Sequence, residues 1–410
     1  MWLQAAVALA GETRVARLSE IDGSVEVKVH PADPWSAGLR NQPLVEGSRV
    51  ATGAGARAEI ELDDGSVVRL AGGAEAEIAD YLRLSTGQRI THIALDRGVV
   101  YFSGEPGGRD AVVVSAGRVQ LALKRGSRLR LEAAIDSTQA AVIEGEARWI
   151  APDIEVDVRE GRMARLGAGD RIHFSPEVTP LDSDEWSRER DRRLASGASR
   201  DRVPNLHQGA RELDSEGAWI ETQEYGVVWK PRAGDGWTPF REGRWIWYDG
   251  WGYTWVSPEK WGWAPYHFGR WMKHDAAGWV WMPPGRLVFQ PGDVYWMRGA
   301  AVAAWGPLAP GEDWRAAATP SLYAIANTTF ARLEEGARTI DPAGFTARPK
   351  DPLTALRFVA ALPSPSLVKE RLEWTRPDPR PGTIRLAPAG PPAPPLPQAP
   401  PTPPESRAPA

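Results

Sequence analysis

Apolar and polar residues alternate singly through the first part of the chain, which is the pattern of strands with one buried face. Residues 23–29 and 58–62 alternate cleanly, and the second run continues through the turn residues Asp63-Asp64-Gly65-Ser66 into a strand at 67–70, as a hairpin would. Similar runs follow at residues 99–102, 111–114, 119–123, 128–131, 139–143 and 154–158. Because the runs are short and closely spaced, the sequence predicts an all-β domain over residues 11–181.

Residues 182–217 have a different pattern, with balanced charge and little apolar content. Asp182-Ser183-Asp184-Glu185 can cap a helix that runs to Leu194, because acids favour its N-terminal end and arginines its C-terminal end. Gly197 and Pro204 interrupt the helical pattern. We expect a solvated helix and linker between two β-domains here, rather than a binding site.

A repeat begins at Tyr225 and ends at Pro284. Its Gly-x-x-Trp blocks at 226–229, 252–255 and 278–281 are 26 residues apart, and Gly-Arg-Trp blocks recur at the same step. The sequence of one unit predicts a β-hairpin, since the aromatic strand at 245–248 is followed by Asp249-Gly250, a dipeptide that favours tight turns. Repetition at a fixed step indicates units that bury their apolar faces by packing together.

Tryptophan is concentrated in the predicted domain at residues 218–316, because 15 of the chain's 20 tryptophans lie between Trp219 and Trp314. Two interpretations remain open. The rings form the core of a small β-domain, or some of them stand outside as a platform for sugar rings or peptide. The candidate ligand-binding residues under the second interpretation are Trp247, Trp251 and Trp261, with Arg244 and Arg270 as hydrogen-bond donors beside them.

Residues 317–375 form an extension without a clear pattern, where short strands and short helices are equally acceptable. Proline dominates residues 376–410, so we expect a disordered, extended polyproline II tail. This tail is interpreted as a spacer or cell-wall-threading segment, or as a docking peptide for a proline-binding module.

Composition excludes several classes of function. A net charge of −4 over 410 residues gives no reason to expect nucleic-acid binding, and the absence of cysteine excludes disulfides and thiolate chemistry. Residues 1–10 are apolar and end in Ala8-Leu9-Ala10, which predicts the remnant of a signal peptide or, alternatively, an apolar arm. No other segment is long and apolar enough to be a transmembrane segment. We therefore expect a periplasmic or secreted protein.

A search for catalytic chemistry gives no convincing constellation. Gly53-Ala54-Gly55 has no following lysine, and no Gly-x-Ser-x-Gly elbow occurs. His267, His274 and Asp275 lack the tight spacing of zinc motifs. We expect no enzyme, cofactor or metal.

Five segments resemble the FecR family of bacterial envelope β-domains: residues 23–25, 44–52, 58–70, 95–100 and 156–162. The resemblance covers about 150 residues and implies regulatory or binding work at the cell envelope. Well-known members relay an outer-membrane signal to a sigma-factor system, through a cytoplasmic anti-sigma segment and a membrane helix placed before the β-domain. Only ten residues precede Gly11 in this sequence, so a signalling role would require a start further upstream.

The tryptophan array is similar to a bacterial family numbered 6600 among the domains of unknown function. Its marks are Tyr225–Trp229, the Gly-Arg-Trp blocks and Val302–Leu308. Taken together, the sequence predicts a mainly β, non-catalytic envelope protein that binds or scaffolds peptidoglycan, another glycan or an envelope protein. FecR-type signalling through a sigma-factor system is the alternative, and a role as accessory to a cell-wall glycan hydrolase is the second alternative.

Overall fold

Two β-sheets lie face to face in the first part of the chain, which we call the sandwich (residues 16–175). The computed structural model describes residues 14–104, 107–168, 171–194, 199–312, 326–346 and 355–365, so the interpretations of residues 1–10 and 376–410 lie outside the described residues. The strands of the sandwich are β1 (Ala16–Asp22), β2 (Val25–Lys28), β3 (Ser36–Ala37), β4 (Gln42–Leu44), β5 (Arg49–Thr52), β6 (Arg57–Glu61), β7 (Val67–Leu70), β8 (Glu75–Arg83), β9 (Arg89–Ser103), β10 (Ala111–Ala116), β11 (Val119–Leu123), β12 (Arg128–Ala134), β13 (Ser137–Glu144), β14 (Glu146–Ala151), β15 (Ile154–Arg159), β16 (Arg162–Leu166) and β17 (Ile172–Ser175).

One sheet has the order β4-β1-β6-β7-β9-β12-β13-β16-β17. The other has the order β3-β2-β5-β8-β9-β10-β11-β14-β15. The predicted hairpin of β6 and β7 is confirmed, with Leu62 N–H donating to the carbonyl of Ser66 at 2.8 Å.

Strand β9 belongs to both sheets. Its first part pairs with β8 and β10, and its last part pairs with β7 and β12. The change of sheet occurs at Gly98, which has a φ of 86° and where an added Cβ would lie 2.6 Å from Ala74 Cα. Only glycine fits this close approach, so the long strand can pass between the layers.

Alternate residues of each strand point into the space between the sheets and form an apolar core, as the period-two pattern predicts. Trp149, Leu131 and Val142 are fully buried in this core. The polar residues of the first sheet lie on its outer face, and they are also buried: Arg17, Glu59, Glu61, Arg69 and Arg130.

Helix α1 (Asp182–Leu194) covers that outer face. Arg69 donates from Nη1 to the carbonyl of Ser187 at 3.1 Å, and Arg130 Nη1 lies 2.7 Å from Asp184 Oδ2. The predicted helix is therefore present, but the expectation that it is solvated is wrong. One side of the helix is bound to the sheet. The helix covers the charged side chains of the sheet and also supplies partners for them, so they are not buried unpaired.

Two short helices follow α1, namely α2 (Ser199–Arg202) and α3 (Ala210–Glu216). We call the segment from α1 to α3 the bridge, because it leads from the sandwich to the next domain. Val203, Leu206 and Leu213 are buried against the aromatic residues that follow. This part of the predicted linker is therefore packed into the next domain.

The repeat region folds as hairpins, as the sequence predicts. The remaining elements are β18 (Gly217–Thr222), β19 (Gly226–Pro231), β20 (Arg244–Tyr248), β21 (Gly252–Val256), α4 (Trp263–His267), β22 (Arg270–His274), β23 (Gly278–Met282), β24 (Val294–Arg298), β25 (Val302–Pro307), β26 (Thr329–Arg332), β27 (Thr339–Ile340) and β28 (Arg357–Val359). They form the sheets β18-β19-β23-β22, β21-β20-β27 and β26-β25-β24-β28. We call residues 217–312 with these later strands the tryptophan domain.

Each hairpin carries a cross-strand pair of tryptophans. The pairs are Trp219 with Trp229, Trp245 with Trp255, Trp271 with Trp281, and Trp296 with Trp305. Directly opposed aromatic residues on one face stabilise a two-stranded ribbon, and these rings converge on a common aromatic core.

A glycine at the start of three hairpins lets an indole ring lie against the backbone. An added Cβ would lie 2.3 Å from Trp229 at Gly217, 2.6 Å from Trp255 at Gly243, and 2.8 Å from Trp281 at Gly269. These glycines follow the repeat step of the sequence. The strands given above outnumber the helices, so the predicted mainly β fold is confirmed. None of the helices in the described ranges is long and apolar enough to cross a bilayer.

Candidate binding cleft

A cleft of about 690 Å³ opens on the tryptophan domain, and we call it the tryptophan cleft. Its lining includes Trp247, Trp251, Gly252, Tyr253, Arg270, Gln290, Pro291, Gly292, Asp293, Val294, Trp296, Leu308, Gly311, Glu312, Ala360, Ala361 and Leu362. The volume falls within the range of about 300–1,000 Å³ that is usual for ligand sites. Aromatic and aliphatic side chains share this surface with charged and amide groups, and polar atoms contribute more of it than apolar atoms.

Trp251 stands at the tip of the second hairpin. The turn closes through Trp251 N–H, which donates to the carbonyl of Tyr248 at 3.2 Å. Its ring lies 4.9 Å from the ring of Phe289 and 6.2 Å from that of Tyr248, measured between centroids. The side chain is half-buried, so one part of the indole surface remains open.

Trp247 lies on the same hairpin, in strand β20. Its ring packs edge-on against Tyr253 at 5.1 Å, and its indole N–H donates to Asp249 Oδ1 at 2.8 Å. Burial raises the pKa of Tyr253, whose hydroxyl donates to the carbonyl of Ala337 at 2.5 Å. Two aromatic side chains are therefore held rigidly beside the opening, and neither carries a charge at neutral pH.

Arg270 forms part of the wall, and its Nε and Nη1 groups are engaged by the protein. Its Nε lies 2.8 Å from Asp293 Oδ2, and its Nη1 donates to the carbonyls of Ala309, at 2.8 Å, and Glu312. These contacts fix the loop that follows β25. Arg270 is consequently a structural side chain of the cleft.

The cleft brings together three of the five predicted ligand-binding residues: Trp247, Trp251 and Arg270. Trp261 is buried, with 6% exposure, and stacks on Tyr266 at 5.7 Å, so the expectation that it stands outside is wrong. Arg244 does not line the cleft and is paired with Asp341 at 3.2 Å. Whether any of these residues binds a ligand stays a prediction.

Trp296 lines the cleft and was not singled out by sequence reasoning. Its hairpin departs from the repeat, because the strand that faces it reads Val302-Ala303-Ala304-Trp305 without the Gly-x-x-Trp glycine. The remaining signal is the spacing within the tryptophan pair, which is ten residues for Trp245 and Trp255 and nine residues here. A search for paired tryptophans rather than for the glycine motif would have found it.

A second cleft of about 580 Å³ lies between the sandwich and the tryptophan domain and shares Trp251 and Pro291 with the first. Arg14 and Arg89 line it, but Arg14 is paired with Asp63 and Arg89 with Asp110, each at 2.6 Å. The positive charge is therefore compensated by the protein itself, and we assign no anion site to this cleft.

Among the described residues, no group of three or more potential metal ligands occurs. The candidate metal ligand His267 is buried, and its Nδ1–H donates to the carbonyl of Gln290 at 2.8 Å. Burial lowers the pKa of His267 to about 4, so the imidazole is neutral at pH 7. It supports the loop behind the tryptophan cleft.

Comparisons with known proteins agree with the two sequence resemblances. The FecR protein family matches residues 48–148, and a family of unknown function, DUF6600, matches residues 210–312. No curated protein matches the chain.

Two crystal structures of a candidate anti-sigma factor from Parabacteroides distasonis are similar at 15% and 14% sequence identity. Each match covers 32% of this chain and 59% of that chain, with a TM-score of 0.28. The matched part thus spans less than two thirds of these relatives. Strands β5 to β13 lie inside the FecR match and the hairpins β18 to β25 lie inside the DUF6600 match, so a region that matches the FecR family precedes a region that matches DUF6600.

Proposed function

We propose that this protein is a non-catalytic regulatory protein of the FecR type, which acts at the bacterial cell envelope by binding another protein. The observation that carries the proposal is the FecR match over residues 48–148. It covers the centre of the sandwich, including the long strand β9 that joins the two sheets. FecR domains are associated with regulation at the envelope, and regulation of that kind depends on protein partners.

A polar joint between the two domains supports this role. Arg17 of β1 is fully buried and pairs with Glu61 at 2.9 Å and with Glu212 of α3 at 3.3 Å. Its Nη2 also donates to the carbonyl of Lys260 at 2.9 Å. The sandwich and the tryptophan domain are therefore joined through one buried cation.

Further contacts strengthen the joint. Asn41 donates from Nδ2 to the carbonyl of Ser257 at 3.0 Å, and the hydroxyl of Tyr248 donates to the carbonyl of Pro43 at 2.8 Å. Tyr248 belongs to the hairpin whose tip carries Trp251. A ligand that displaces this tip would act directly on a contact with the sandwich.

The buried carboxylates favour a non-catalytic role. Burial raises the pKa of Glu61, and although burial also opposes the charged form of Glu212, Arg17 and Arg211 hold the pKa of Glu212 below its ordinary value. Both carboxylates are largely buried in the joint and paired with Arg17. Their contacts with Arg17 hold the two domains together.

Glycan binding is the second candidate function, since Trp247 and Trp251 line one cleft and aromatic faces stack on sugar rings. The two arginines proposed to accompany them are occupied by Asp341 and Asp293. The two side chains proposed as the hydrogen-bond donors to a sugar are therefore already paired within the protein, which ranks this candidate below a protein ligand.

Deletion of the gene in its native host tests the regulatory role. We expect the transcripts of one sigma-factor regulon to change, and the wild-type gene to restore them. Complementation with Trp251→Ala should fail, whereas the matched variant Trp186→Ala, on helix α1, should succeed. If no regulon responds to the deletion, the regulatory proposal is wrong.

A further inference from the structure

We infer that the tryptophan cleft binds a proline-rich peptide in the polyproline II conformation. This inference deepens the proposed function, because it names the chemical class of the protein segment that the same cleft would take. Proline-rich segments dock in aromatic-lined grooves, where flat rings pack on the pyrrolidine faces. The half-buried rings of Trp247 and Trp251, with the aliphatic groups of Val294 and Leu308, offer such a surface.

The hydrogen-bonding groups of the cleft match such a ligand. Proline lacks a backbone N–H, so a proline-rich peptide presents mainly carbonyl acceptors. The side-chain amide of Gln290 and the indole N–H of Trp251 donate to no group in the described part of the chain. These two donors at the site can therefore bind the carbonyl acceptors of such a ligand.

One residue of a short proline-containing segment, Leu362, lines the cleft. Residues 362–365 read Leu-Pro-Ser-Pro, and they follow strand β28, which pairs with β24 at the floor of the cleft. Leu362 lines the cleft and is 5% exposed, Pro365 is buried, and Pro363 and Ser364 are exposed. The surface is therefore compatible with a leucine side chain that comes from a proline-containing segment.

The entropy of binding also favours this class of ligand. Polyproline II is largely formed before binding, so less conformational entropy is lost than with a flexible peptide. The chain's own sequence offers a suitable probe, since residues 390–404 contain nine prolines in fifteen residues and no charged side chain. An uncharged ligand suits a wall whose arginine, Arg270, is already paired with Asp293.

The test is calorimetric titration of the full chain with a synthetic peptide of residues 390–404. A full chain whose nine prolines at these positions are serines is titrated in parallel, so that the same sequence within the protein does not mask binding. We expect saturable binding to at least one of the two proteins. In the protein that binds, Trp251→Ala and Trp247→Ala should each weaken binding by about tenfold or more, while Trp186→Ala should leave it unchanged.

Three controls keep the result decisive. A peptide with serine in place of proline should not bind, and Trp251→Phe, which keeps an aromatic face, should retain measurable affinity if Trp251→Ala fails to fold. Soluble peptidoglycan fragments are titrated as the alternative ligand. Absence of peptide binding to both proteins, binding unaffected by Trp247→Ala and Trp251→Phe alike, or tryptophan-dependent binding of the glycan alone would overturn the inference.

This outcome is distinguishable from failure of the proposed function. A regulon that responds to the gene deletion while no proline-rich peptide binds would reject the ligand class and keep the regulatory role. Peptide binding without any transcriptional response would keep the ligand class and reject the regulatory role.

Discussion

Charged side chains that strand alternation places on the outer face of the first sheet are buried in this protein. Glu59 has no exposed surface, and it contacts Arg69 at 2.8 Å and also Arg190 of helix α1. Burial alone would raise its pKa, but the hydrogen bonds and charges of Arg190 and Arg69 outweigh that effect and hold the pKa of Glu59 at about 2. The carboxylate therefore stays charged, and it attaches the helix to the sheet.

Replacement of Arg190 should detach this end of the helix. We expect Arg190→Gln to lower the free energy of unfolding by about 2–4 kcal/mol, because a buried carboxylate loses one of its two arginine partners. Urea denaturation at pH 7 measures the change. Arg192→Gln is the matched control, since Arg192 is 64% exposed and its pairs with Glu185 and Glu189 lie on the surface; equal effects of the two variants would refute the role of Arg190.

His267 should make the protein less stable in mild acid. Its pKa is about 4 in the folded protein and about 6.5 when unfolded, so between these values the unfolded state binds the proton more readily. The contribution to stability is complete above about pH 6.5 and is lost as the pH falls towards 4, which amounts to about 3 kcal/mol.

We therefore expect His267→Gln to reduce the loss of stability between pH 7 and pH 4.5, measured by urea denaturation at both values. His173→Gln is the control, because His173 is exposed on the edge strand β17. A variant that loses as much stability as the wild type over this interval would show that another group is responsible.

At the scale of the element, the hairpins depend on glycines that serve two different purposes. Gly269 has a φ of 69°, and an added Cβ would lie 2.2 Å from the carbonyl oxygen of Met282. Gly278, in the turn of the same hairpin, has a φ of 75° but open space around it. The first position requires both the conformation and the missing side chain, and the second requires only the conformation.

This contrast predicts different costs for one substitution at two sites. Gly278→Ala should destabilise the protein by about 1 kcal/mol through backbone strain. Gly269→Ala should cost at least about 2 kcal/mol more, because the Trp281 indole and the facing strand must shift. Thermal unfolding of both variants measures the difference, and equal midpoints would contradict the packing role of Gly269.

The hairpins and helix α1 were predictable because local chemistry determines them. Asp249-Gly250 forms the turn between β20 and β21, and the acids at 182–185 begin the helix, as the sequence indicates. The copy that starts at Gly217 was missed because Ala218 replaces the arginine of the Gly-Arg-Trp block. Only the step of the repeat connects Gly217 to the other two glycines.

Whether each tryptophan is buried in the core or lines a cleft could not be predicted from the sequence. Trp261 and Trp251 occupy similar aromatic contexts, yet the first is in the core and the second at a cleft, because burial depends on which hairpin packs against which. The burial of Glu59 and Arg69 was hidden for a related reason. Strand alternation shows that they share the face opposite the core, but not that a distant helix covers it.

At the scale of the whole molecule, the joint around Arg17 determines whether the sandwich and the tryptophan domain unfold as one unit. Arg17 has no exposed surface, and its guanidinium contacts Asn41 Oδ1 at 2.9 Å in addition to Glu61, Glu212 and the carbonyl of Lys260. Acceptors from the sandwich, the bridge and the tryptophan domain thus meet at one cation. Because the side chains of Glu61 and Glu212 are only 4% and 13% exposed, the cation holds them more strongly than a surface pair would.

Arg17→Met should therefore uncouple the domains as well as destabilise them. We expect a loss of about 3–5 kcal/mol, since two buried carboxylates lose their shared partner. In the wild type, tryptophan fluorescence, which reports mainly the tryptophan domain, and far-ultraviolet circular dichroism, which reports both domains, should give one coincident thermal transition. In the variant the two signals should separate. Arg40→Gln, which removes a partly exposed pair with Glu20, should leave them coincident, and coincident signals in Arg17→Met would mean that apolar contacts, rather than this cation, unite the two domains.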